Sequence, residues 1–94
     1  MFILDITYTA PTERMDELLP DHLAWLEKGR DAGRFVAWGR KVPRTGGMVF
    51  AVGMRDEIEA EAQRDPFVAN GAASVTVIEF DAKFAAEGLE ALRR

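Results

Sequence analysis

The stretch RFVAWGRKVPRTGGMVFAVGM, Arg34 to Met54, decides the fold. Two runs in it, Arg34–Val42 and Gly47–Met54, are rich in β-branched and aromatic residues and read as strands. Between them, PRTGG supplies the proline and glycines of a tight connection, which makes the strands antiparallel neighbours. Both carry apolar groups on both faces. Val36 and Trp38 are expected to oppose Phe35 and Ala37, and Phe50 to oppose Val49 and Ala51. A sheet built from such strands needs cover on two sides.

Upstream, FILDITYT (Phe2–Thr9) alternates Phe2, Leu4, Ile6 and Tyr8 against Ile3, Asp5 and Thr7, the pattern of another strand. APTER then opens a helix. Pro11 suits its first turn, Thr12 is a candidate cap, and Glu13, Asp16 and Glu17 suit the positive end of the dipole. Pro20 removes a backbone donor, so a kink or a break is expected there, with the helix ending at Gly29 or Gly33. Downstream, RDEIEAEAQR reads as a short acidic helix whose buried edge is Ile58 and Ala62. DPFVANG reads as a helical turn, entered by an Asp-Pro cap and closed by Asn70-Gly71. ASVTVIEFDA is the last strand, and KFAAEGLEALRR a terminal helix with Phe84, Leu89 and Leu92 on one side. The order β-α-β-β-α-β plus a C-terminal helix is the α+β, ferredoxin-like plan with an antiparallel sheet, in one domain spanning residues 1–94. Two helices cover only one face of its sheet. The apolar second face predicts a homodimer packed sheet to sheet.

Composition narrows the chemistry. A net charge of −4 argues against nucleic acid or an anionic membrane surface as partner. The N-terminal MFILDITYTAP lacks a basic region and meets an acid early, which argues against a secretion signal or a membrane span and for a cytoplasmic protein. There is no cysteine and a single histidine, so thiolate chemistry is out and no metal site is expected. Neither a dinucleotide fingerprint nor G-x-S-x-G occurs, and no cofactor is implied. Proton transfer remains, for which one histidine oriented by one carboxylate suffices.

The histidine lies in LLPDHLAWLEKG (Leu18–Gly29), near the centre of an inward stripe of Met15, Leu18, Leu19, Leu23 and Leu26. A lone histidine on an apolar face is commonly a core residue, yet both nitrogens of a buried imidazole still need polar partners. Asp65, in RDPF, is explained as a helix cap. A carboxylate has two oxygens, so one can cap while the other accepts from His22; the topology allows the two to meet. In GRKVPRTGG, Arg40 and Arg44 are candidates to hold an anionic group, against the plainer reading of solvated charges on a hairpin loop. Tyr8, Trp25 and Trp38 are candidate pocket walls.

The segments LLPDHLAWLEKGRDAGRFVAWG, VPRTGGMVFAVG and RDPFVANGAASVTVIEF, taken in order, resemble the YCII-related proteins over roughly Phe2 to Lys83. The resemblance implies a ferredoxin-like fold of the dimeric α/β-barrel superfamily. It also implies an active site made by the histidine of an HL motif and the aspartate of a DP-aromatic motif, here His22 and Asp65. Superfamily relatives include muconolactone-isomerase-like enzymes and small-molecule lyases. The expectation is therefore His-Asp proton transfer, isomerase- or lyase-like, on a small organic acid. The alternatives are a non-catalytic metabolite-binding domain and a structural homodimer in which the pair only ties helices together.

Overall fold

The computed structural model describes residues 1–94. The elements are β1 (Phe2–Tyr8), α1 (Thr12–Asp31), β2 (Phe35–Arg40), β3 (Gly46–Ala51), α2 (Arg55–Arg64), α3 (Pro66–Ala69) and β4 (Ala73–Glu79), followed by a 3-10 turn, Glu90–Arg93. The strands form one antiparallel sheet in the order β2-β3-β1-β4. This is the expected ferredoxin-like arrangement, with β1 and β3 central because each β-α-β unit is split by a strand of the other.

The register sorts the side chains by face. Leu4 pairs with Val49 and Val77, and Phe2 with Ala51 and Glu79, so these positions lie on one face. Phe2, Leu4, Ile6, Val49 and Ala51 of that face pack with Met15, Leu18 and Leu26 of α1, Ile58 and Ala62 of α2, and Phe67 of α3. The opposite face carries Ile3, Phe50 and Ile78, with Asp5 and Lys41 joined at 2.6 Å. Ile78 on this face is 42 % exposed, whereas Ile3 and Phe50 are partly buried. No helix is long and apolar enough to cross a membrane.

Five expectations are corrected. The register of β2 shifts between Phe35 and Ala37, a bulge at Val36. Phe35 pairs with Ala51 and Trp38 with Val49, which puts both aromatics on the helix face rather than on opposite faces. The first helix also runs unbroken through Pro20. That residue lies on the exposed side, where a carbonyl released by the missing N–H can bond water. Pro11 occupies the cap position without a side-chain bond, and Thr12 is already helical rather than capping. At the C-terminus the expected helix is only the single 3-10 turn: Gly88, at φ +90°, interrupts KFAAEGLEALRR, and Phe84 is left 84 % exposed. So short a helix is marginal by itself.

The inward stripe of α1 is rotated from the expected one. Met15, Leu18, Trp25, Leu26 and Gly29 are buried, whereas Leu23 is 43 % exposed. Gly29 sets the rotation. A Cβ there would fall 2.1 Å from the ring of Phe35, so the helix is seated closely against the aromatic that follows it. The helix then ends as the glycines suggested. Gly33 takes φ +75°, and the N–H groups of Gly33 and Arg34 return to the carbonyls of Arg30 and Gly29.

Candidate active site

Asp65 is placed by backbone chemistry. Pro66 disfavours helical dihedrals in the residue before it, so α2 stops at Arg64 and Asp65 turns extended, at φ −53° and ψ 122°. Its carboxylate then accepts the N–H of Phe67 at 3.1 Å and caps α3. The far end of that short helix is closed by Asn70 and Gly71, with Ala72 N–H returning to the Phe67 carbonyl at 2.8 Å. Both ends of the turn are tied, and Asp65 is held fully buried between two helices.

His22 comes to it from α1. Its Nδ1 lies 2.6 Å from Oδ1 of Asp65, and the histidine side chain is 12 % exposed. The sequence suggested one carboxylate oxygen for each task. Instead Oδ1 performs both, accepting from Phe67 and from His22, while Oδ2 is buried without a partner. This determines the tautomer. An oxygen already accepting a backbone N–H serves as an acceptor, so the proton of the short contact resides on Nδ1. Nε2 is left as the free nitrogen of the ring.

Aromatic packing holds the imidazole in that orientation. Phe67 stacks on it with centroids 4.0 Å apart and planes 10° off parallel, and Trp25 lies tilted at 5.7 Å. Tyr8 meets Phe67 edge-on at 5.6 Å, and Trp25 meets Phe35 at 4.9 Å. Phe67 was not singled out from the sequence. The available signal was the spacing in DPF: the residue whose N–H is capped is also positioned to carry its ring back to the partner of the cap.

A cavity of about 330 Å³ opens beside this pair, between α1 and the β2–β3 end of the sheet. Leu19, His22, Leu23 and Leu26 form its helix side, Ile6, Gly47 and Val49 its sheet side, and Tyr8, Trp38, Arg40 and Phe67 stand around it. At that size it accommodates a small metabolite. Of the candidate wall and anchor residues, Tyr8, Trp38 and Arg40 line it. Trp25 and Arg44 do not. Trp25 belongs to the core behind His22. Arg44 bonds Asp16 at 2.8 Å and lies 5.9 Å over the Tyr8 ring. Asp16, and next the Tyr8 hydroxyl, hold its guanidinium proton more firmly than usual. Arg40 has no carboxylate partner, which leaves it as the unneutralised cation at the cavity. No group of three or more His, Cys, Asp or Glu side chains is arranged to hold a metal ion.

The model of the YCII-related domain matches residues 1–81. The chain belongs to that family. Among curated proteins none matches it. Among solved structures the YCII-related chain is similar to 5-chloro-2-hydroxyhydroquinone dehydrochlorinase from Burkholderia phenoliruptrix AC1100, determined in complex with 2,5-dihydroxybenzoquinone. The TM-score is 0.69 at 19 % identity, covering 85 % of this chain and 93 % of the other. That similarity establishes the shared fold. The family assignment agrees with the resemblance carried by the HL and DP-aromatic segments.

Proposed function

We propose that this YCII-related protein is a cofactor-independent enzyme that moves a proton on a small organic acid, with His22 as the base and Asp65 as its orienting carboxylate. The observation that carries the reading is the 2.6 Å contact between His22 and the fully buried Asp65 at the wall of a small cavity. Orienting one ring nitrogen frees the other for proton transfer, and the carboxylate stabilises the imidazolium that forms. Nε2 takes a proton from the substrate, and the electron pair left behind forms a new double bond. In a lyase-like reaction a neighbouring group then departs with its bonding electrons. In an isomerisation the imidazolium returns the proton to a different carbon.

Arg40 is the anchor for the acidic group, because it borders the cavity with no competing partner. Arg44 is already engaged, so it serves the loop rather than the ligand. The similarity to a dehydrochlorinase bound to dihydroxybenzoquinone supports a lyase-like reaction on an oxygenated ring compound. Chloride release from 5-chloro-2-hydroxyhydroquinone and solvent-deuterium incorporation into a panel of small cyclic acids test the reading. His22→Ala is expected to lower the rate on an accepted substrate by about 10²–10⁴-fold, the usual contribution of a general base. A variant as active as the wild type overturns the assignment, and binding without conversion leaves a metabolite-binding domain.

The working unit of the proposal is a cytoplasmic homodimer packed through the open sheet face. Ile3 and Phe50, partly buried, and Ile78 and Phe80, 42 % and 39 % exposed, give that face an apolar surface. Light scattering is expected to give twice the chain mass. Phe50→Glu, which puts a charge in the middle of that surface, is expected to give a folded monomer. A wild-type monomer at micromolar concentration excludes the dimer.

A further inference from the structure

We infer that Gly47 determines the class of ligand this cavity takes, by making it a slot one ring thick that admits flat anionic rings and excludes puckered ones of equal charge. The inference rests on the reading of His22 and Arg40 given above and adds the shape of the substrate to it.

Ile6 and Arg40 are both partners of Gly47, and the next position on the same face is Val49, paired with Leu4 and Trp38. A residue at position 47 therefore points toward α1, beneath Leu19, His22 and Leu23. Where a helix packs on a sheet, both layers normally contribute side chains to fill the gap. Val49 and Ile6 do so and are buried. At Gly47 the sheet contributes nothing. A Cβ built there meets the carbonyl oxygen of Gly39 at 3.0 Å and no side chain within 4 Å, so the space it would enter belongs to the cavity.

Gly39 pairs with Met48, whose side of the sheet is the open one, and it has no side chain in either direction. At Gly47 the floor is peptide plane, flanked by Ile6, Val49 and Arg40, and the roof is a layer of helix side chains, so the height above this one position is set by a single side-chain layer. An aromatic ring is about one carbon–carbon contact thick, roughly 3.5–4 Å, and fits between two such surfaces. A saturated ring with axial hydrogens on both faces is thicker. Arg40 stands directly across from Gly47, so a ring lying on this floor has its anionic substituent at the guanidinium and its body below the imidazole.

Benzoate and cyclohexanecarboxylate test this, since they share charge, carbon count and point of attachment and differ in flatness. Titration of the wild-type protein by calorimetry is expected to show benzoate binding at least about tenfold more tightly. In Gly47→Ala the methyl group occupies the floor, and benzoate affinity is expected to fall by about tenfold or more, with thermal melting confirming the fold. Equal affinity for the two probes in the wild type overturns the slot. If Arg40→Gln then weakens both, the small-acid reading survives while the inference from Gly47 fails. A preference for benzoate that persists undiminished in a folded Gly47→Ala protein also overturns the role of Gly47. Failure of both compounds to bind overturns both readings together.

Discussion

Asp65→Ala is expected to lose about 2–4 kcal/mol of stability and nearly all activity, whereas Asp65→Asn keeps the cap and the acceptor for His22 and loses about 10–100-fold in rate. The alanine variant removes the cap of α3, a loss of about 1 kcal/mol. It also leaves the Nδ1–H of a largely buried imidazole without an acceptor, a further cost of about 1–3 kcal/mol. Both losses trace to one atom, because Oδ1 accepts from Phe67 and His22 together. That sharing is what makes asparagine informative. The backbone N–H of Phe67 requires an acceptor at the Oδ1 position, so the amide oxygen takes that place and the NH₂ group goes to the Oδ2 side. His22 still finds an acceptor and keeps its proton on Nδ1. The negative charge has gone, and an NH₂ group takes the place of the buried, unpartnered Oδ2 at a cost of about 1–3 kcal/mol.

The expected result for Asp65→Asn is an unchanged tautomer with a rate lowered roughly 10–100-fold, reflecting an imidazolium that no longer has a carboxylate beside it. The chain has one histidine, so the ¹⁵N shifts of its imidazole report the tautomer without ambiguity. Chemical denaturation supplies the stability difference. An alanine variant as stable as the wild type would show that the pair and the cap contribute nothing, and the site would have to be abandoned. Asparagine with full activity would confine Asp65 to a structural role.

Gly46→Ala is expected to be the most damaging single-methyl change in the chain, at about 3 kcal/mol or more. The added Cβ would lie 1.9 Å from the carbonyl oxygen of Ile6, 2.9 Å from its carbonyl carbon and 3.1 Å from Cα of Thr7. These atoms are all backbone of β1, which is paired on both sides. Relief requires β1 and β3 to separate, and the cavity floor lies one residue further on. A domain of this length holds on the order of 5–14 kcal/mol in total, so the loss is a large part of the margin. Gly47→Ala, one position along, meets only one backbone oxygen at 3.0 Å and should melt close to the wild type. Thermal melts of the two variants side by side check the contrast. Equal behaviour would mean that the approach of β1 to β3 at Gly46 is not as close as described.

The alternation in FILDITYT, the turn residues in PRTGG and the Asp-Pro entry to α3 act over a few neighbouring residues, so the order of elements follows from the sequence alone. Pro66 forces Asp65 out of the helix whatever surrounds it, and the cap is equally local. The HL and DP-aromatic segments also sufficed to name His22 and Asp65. Contacts across 43 residues are of another kind. Which oxygen receives the imidazole, and that Phe67 stacks on it, depends on how α1 is seated on the sheet. That seating follows from the close approach of Gly29 to Phe35, which a helical repeat cannot express; the periodicity accordingly placed Leu23 inside and left Trp25 as a pocket wall. The bulge at Val36 likewise turned Trp38 and Arg40 toward the cavity, since one extra residue reverses every side chain beyond it. Arg40 and Arg44 look alike in the sequence, and only the tertiary contact with Asp16 separates the free cation from the engaged one. Local chemistry supplied the candidate pair; the packing of helix on sheet decided the space in front of it.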